Sequence, residues 1–184
     1  MARPQTVSDK ELVTRIASFL AAREWPASTW SLAEVAPAAG LSPAGLVKRF
    51  GSRAGLLQAL GAHWVESIPR EPVRELSPLE ELRGFARDTF AAQNPAAAIA
   101  GLNDLFADLA DSGSAAVLRK GQALQRSYCA QLLAALDQPR IAQPERAAEV
   151  LLDALHGSLI RHAAGDDTTE RTDQTIDYFL EVWA

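Results

Sequence analysis

Lys48 and Arg49 stand side by side in Ser42-Pro43-Ala44-Gly45-Leu46-Val47-Lys48-Arg49-Phe50, and Arg53 follows four residues later. Cations spaced this way along a short helix suit phosphate oxygens and guanine edges. Ser31 and Ser42 each precede a helical pattern, and the free N–H groups of helix starts donate to phosphate oxygens. Arg53 opens a helix, where a cation sits badly against the helix dipole, so a nearby phosphate explains it better than stability does. In isolation all three cations also fit a solvated helix face. A different chemistry is suggested by Asp153-Ala154-Leu155-His156, a carboxylate and an imidazole at i and i+3, half of the pattern that di-metal bundles use. The other half is missing: no Glu-x-x-His occurs, and the remaining histidines are His63 and His162. A surface pair or a subunit contact is the better reading of Asp153 and His156. The chain also has no glycine-rich phosphate loop, no G-x-S-x-G and no Cys/His zinc spacing. These residues read as a binding protein without cofactor or metal, not as an enzyme.

The elements that would position them are helices throughout. Apolar residues recur at helical spacing and no stretch alternates as a strand does, which predicts an all-α fold. A first helix runs from the cap Ser8 to about Arg23, with Leu12, Ile16, Phe19 and Leu20 on one face, and Trp25-Pro26 stops it. Ser31-Leu32-Ala33-Glu34 is a capping box opening a second helix. Gly40 turns the chain in a left-handed conformation, and Ser42-Pro43 opens a third helix that ends near Phe50-Gly51. Ser52 caps a fourth, which carries Leu56, Leu57, Leu60 and Trp64, and Pro69 to Pro78 reads as a linker. Five more helices follow, at about 78–92, 95–110, 115–136, 144–163 and 171–182. Asp111-Ser112-Gly113, Gln138-Pro139 and Gly165-Asp166-Asp167 separate them. Pro37, inside the second helix, removes a hydrogen bond and costs about 3 kcal/mol, so a kink or an early end is expected there.

Charge is distributed unevenly. The chain has 184 residues and a net charge of -5, yet residues 1–60 hold seven basic and four acidic residues and the remainder holds 11 and 19. A basic head on an acidic body suits one end meeting phosphates while the other stays away from them. A single cysteine, Cys129, rules out an internal disulfide framework and fits a reducing cytoplasm. No apolar stretch approaches the roughly 20 residues of a membrane span, and the first residues carry no apolar signal region.

Two short helices joined by a glycine turn, Ser31 to Ala38 and Ser42 to Phe50, form a helix-turn-helix pattern whose second helix fits a DNA major groove. Here the sequence resembles the tetracycline-repressor (TetR) family's DNA-binding domain, through Val35-Ala36, Ala39-Gly40-Leu41-Ser42, Leu46, Phe50, Arg53 and Leu56-Leu57. It departs from that family at Ala44-Gly45 and Val47, where a hydroxyl and a tyrosine are usual, and at Glu24, where a glycine is usual after the first helix. The resemblance implies a three-helix DNA-binding domain at 1–52 and a helical bundle for ligand binding and dimerisation at 53–184. It implies double-stranded DNA as partner, a palindromic operator, a homodimer, and release by a small, mainly apolar effector. Its DNA face would comprise Ser31, Ser42, Pro43, Ala44, Val47, Lys48, Arg49 and Arg53. Trp64, Phe85, Phe90, Asn103 and Phe106 lie on helices that would line the ligand site. Asn103, an amide among Leu102, Leu105 and Phe106, must find a partner if buried. The last two helices would form the dimer interface through Leu155, Leu159, Ile176, Phe179, Leu180 and Trp183. Two rivals remain: a TetR-like protein that has given up DNA for a lipid or a protein partner, and a helical-bundle enzyme using His156.

Overall fold

Serine side chains start the first four helices, each accepting a hydrogen bond from a backbone N–H three residues on. The computed structural model describes residues 7–22, 30–136, 138–165 and 171–184. Ser8 caps α1 (Asp9–Ala21), Ser31 caps α2 (Leu32–Ala39), Ser42 caps α3 (Pro43–Phe50) and Ser52 caps α4 (Arg53–Ser67). At α2 the box is complete, because the Glu34 carboxylate also accepts the Ser31 N–H at 2.6 Å. Each such cap contributes about 1 kcal/mol. Gly40, at φ 66°, provides the left-handed turn between α2 and α3. Trp25-Pro26, like Arg23 and Glu24, falls outside the described residues, as do Asp166 and Asp167.

α2 runs through Pro37 to Ala39. The expected early end does not occur, because the last turn is closed from beyond: the Gly40 N–H donates to the Pro37 carbonyl and the Leu41 N–H to that of Ala36. Leu12, Ile16, Val35, Leu46 and Leu56 are fully buried in a first core that α1 to α4 share. Each contributes about 1.5–3 kcal/mol by leaving water. Leu57 and Leu60 pack against the same core, so it extends past residue 52 into the first half of α4.

The body follows with α5 (Pro78–Phe90), α6 (Pro95–Ala110), α7 (Ser112–Ala135), α8 (Pro144–Ala163) and α9 (Arg171–Trp183). All nine elements among the described residues are α-helices, so the all-α expectation holds. The separator expected at Asp111-Ser112-Gly113 shrinks to Asp111. Its carboxylate caps the Ser114 N–H at 2.8 Å, which draws Ser112 and Gly113 into the first turn of α7. The 68–77 segment is pinned rather than loose: both Glu81 carboxylate oxygens accept the Val73 N–H at 3.0 Å, and Arg70 donates to the Val65 carbonyl. α7 lies at the centre of the body, against α4, α5, α6 and α8. Its Tyr128, Cys129, Leu132 and Leu133 join Leu151, Leu155 and Ile176 in a second core. Burial pushes the Cys129 thiol up to about 12, leaving it a packing group.

Candidate functional site

Leu46 is the buried anchor of α3, and the opposite side of that helix is open. Ser42, Pro43, Ala44, Val47 and Lys48 are all exposed there, as their spacing requires once Leu46 points inward. Val47, with 42% of its surface exposed, is an apolar group in water without a covering element. Ser31 and Ser42 are exposed, but their hydroxyls are already occupied as caps.

The cations behave differently from one another. Arg49 is turned toward α1: its Nε donates to Asp9 Oδ1 at 2.7 Å and its Nη2 to the Val7 carbonyl at 2.7 Å. Arg53 donates to the Trp30 carbonyl at 3.0 Å and lies 4.5 Å above the Trp30 ring. A phosphate is therefore not needed to account for a cation at the start of α4, since the carbonyl and the π face supply its compensation. Lys10 pairs with Glu66 and Arg15 with Glu11. Of the head's described cations, Lys48 is the one without a partner among the described residues.

The body carries two cavities on either side of Trp64. One, of about 430 Å³, lies between the start of α4 and the α6–α7 pair, with Trp30, Arg53, Asp104 and Asp108 in its walls. Burial pushes the Asp104 carboxyl above the usual range, Asp108 adds to the shift, and Arg53 opposes it. The other, of about 530 Å³, is a half-open cavity bordered by α4, the 68–77 segment, α5 and α7, and is lined by Trp64, Phe85, Tyr128 and Gln125. Phe85 and Tyr128 meet edge to face at 5.2 Å, and the Tyr128 hydroxyl donates to Glu81. Burial first, and that bond second, raise the phenol well above its ordinary value, so it remains a donor. Trp64 keeps its place because residue 121 is glycine: a Cβ there would come within 2.1 Å of the indole ring.

Two of the five expected ligand residues, Trp64 and Phe85, thus share one cavity. The other three do not join them. Phe90 is buried in the second core, edge to face with His156 at 4.8 Å. Phe106 is 61% exposed and Asn103 is also exposed, because α6 turns only Ala98 fully inward and leaves both on its solvent side. Asn103 therefore stands open to solvent and needs no partner within the chain. Leu155 and Ile176, expected at a subunit interface, are each 1% exposed inside the chain's own core and offer no surface to a second copy. The periodicity that suggested them marks the inward face of α8 and α9. Leu159, Phe179, Leu180 and Trp183 are half-buried, and the outward apolar groups are Val150, Ile160, Tyr178 and Val182. His156 bonds the Leu152 carbonyl at 2.9 Å through Nδ1, and no group of three metal-ligating side chains occurs among the described residues.

Gln125 and Tyr128 were not anticipated. Both lie on the stripe Gly121, Gln125, Tyr128, Cys129, Leu132 at i, i+4, i+7, i+8 and i+11 of α7, so a polar residue on a buried face was the available signal.

Neither a family model nor a curated protein matches the chain. Among solved structures, a protein from Rhodococcus sp. described as a TetR-family transcriptional regulator superposes on it with a TM-score of 0.61. The alignment covers 94% of this chain and 96% of that one at 18% sequence identity. The chain has the fold of that regulator, an N-terminal helix-turn-helix followed by a C-terminal helical domain. No described helix is long and apolar enough to cross a membrane.

Proposed function

We propose that the protein is a cytoplasmic, ligand-responsive transcription regulator of the TetR type that binds double-stranded DNA as a homodimer and acts as a repressor. The observation that carries this reading is the α2–α3 unit, in which a buried Leu46 leaves Ser42, Pro43, Ala44, Val47 and Lys48 facing outward on a helix of groove-fitting size. Lys48 supplies the readiest cation. Arg49 and Arg53 act chiefly by holding α3 and α4 in register, and reach phosphates only by exchanging their present partners.

Dimerisation through the outward sides of α8 and α9, where Ile160 and Tyr178 are exposed, presents two recognition helices about a two-fold axis. The operator is then a palindrome with half-sites about one helical turn apart. α4 connects the two functions: Leu56 belongs to the head core and Trp64 to the cavity walls, eight residues along one rigid element. A small molecule that prefers one setting of α4 lowers DNA affinity by its differential affinity for that setting.

Selection of bound duplexes from a random pool tests this. The expected result is an enriched palindrome whose affinity falls steeply as salt rises. Absence of any enrichment at low salt supports a second reading, which the tied state of Arg49 and Arg53 favours: a TetR-like chain that has set DNA aside and binds a lipid or a protein partner.

A further inference from the structure

The cations of α5 are committed to a neighbouring helix. Arg83 donates to Asp177 at 2.5 Å and Arg87 to Asp173 at 2.5 Å, so both of its cations are committed to α9. Glu81 and Asp88 are turned toward the 530 Å³ cavity and Glu80 lies at its margin, and no lysine, arginine or histidine is among the described residues that line it. Glu81 is held by Val73 and Tyr128. Glu80 and Asp88 have no ionic or hydrogen-bond partner among the described residues. Aromatic faces from Trp64, Phe85 and Tyr128 complete the walls.

Gln125 provides an independent sign that something polar belongs inside. It is 4% exposed, lines the cavity, and makes no hydrogen bond within the described protein. Its amide opens onto the cavity rather than onto a protein partner, so an incoming polar group can bond it in place of solvent.

We propose that this cavity binds an organic cation, a protonated amine on an aromatic or apolar body. The inference rests on the reading of the body as a small-molecule receptor and specifies the class of molecule. Carboxylates without a cation among them favour positive charge, π faces attract an ammonium, and the Gln125 carbonyl oxygen accepts one of its N–H groups. The groove on the far side of α7, of about 520 Å³, also reaches Gln125 but sets Arg119 and Arg126 against Glu149 and Asp153 and presents none of these three aromatic rings.

The test is calorimetric titration of the full chain, without DNA, using three compounds on one skeleton: 1-naphthylmethylammonium, 1-naphthylmethanol and 1-naphthoate. The ammonium is expected to bind about tenfold tighter than the alcohol, as cation–π and carboxylate contacts predict. That margin should disappear in the E80Q/D88N variant, both positions being exposed and so tolerant of change. An ammonium that binds no tighter than the alcohol, or not at all, overturns the proposal. So does tightest binding by the naphthoate that is lost in R119Q/R126Q, which moves the site across α7. Because no DNA is present, cation binding by a chain that selects no duplex leaves this inference standing and removes the regulator reading. A selected palindrome without cation preference does the reverse.

Discussion

The head and the body are both helical, but they use space differently. In the head, the start of α4 is tight: a Cβ on Gly55 would lie 2.0 Å from the Phe50 carbonyl oxygen, so α4 begins directly against the end of α3. Its described cations other than Lys48 are tied by carboxylates or carbonyls. In the body, cavities of about 430 and 530 Å³ flank Trp64, a Cβ on Gly84 would meet nothing within 4 Å, and Gln125 is buried without a partner. The difference separates two tasks. On the proposed function, a surface that must match a groove is held by many local contacts, whereas a receptor leaves room for its ligand. Departures from good packing are expected at functional sites for this reason.

Four substitutions sharpen or break that contrast. The largest effect is expected from Leu46→Ala. This side chain is completely buried beneath α3, so its loss costs about 2–5 kcal/mol, read as a lowered urea midpoint together with loss of duplex binding. Gly55→Ala should follow, at about 1–3 kcal/mol of overpacking, because the new methyl group meets rigid backbone. Unchanged stability in this variant would show that the joint between α3 and α4 has slack after all. Gln125→Leu is expected to go the other way, raising stability by about 1 kcal/mol through removal of an unpartnered amide while weakening ammonium binding. A stability loss there would mean that the amide is satisfied in solution and the cavity is less receptive than its walls indicate. The smallest change is Gly84→Ala, worth about 0.5–1 kcal/mol of helix propensity in the stabilising direction, with duplex binding unaltered.

The head was largely legible from the sequence because its signals are local. Ser8, Ser31, Ser42 and Ser52 each announce a helix start within three residues, and Gly40 announces the turn. What sequence could not show there was the direction of long side chains. Arg49 and Lys48 are neighbours with equivalent chemistry, yet a 100° step around the helix brings one against Asp9 and leaves the other in water. The body was legible as helices but less so as faces. Ile176 and Leu155 repeat at helical spacing whether they face their own chain or a second one, and burial decided for the former. Phe106 looked like a pocket residue by type, but α6 turns it outward. The cavity itself depends on Gly121 admitting Trp64, a contact between positions 57 residues apart that no local pattern records.

The central claim, that α3 engages duplex DNA through its outward face, is tested most directly by fluorescence anisotropy of a selected duplex against wild type and Lys48→Ala over a range of salt concentrations. Lys48 has no partner within the described protein, so its loss leaves the fold intact, whereas Arg49→Ala would also unpin α3 from α1. Lys48→Ala is expected to fold normally, bind more weakly, and show a log–log salt slope smaller by about 1 for each bound head. A variant that binds with the same affinity and the same slope would contradict it.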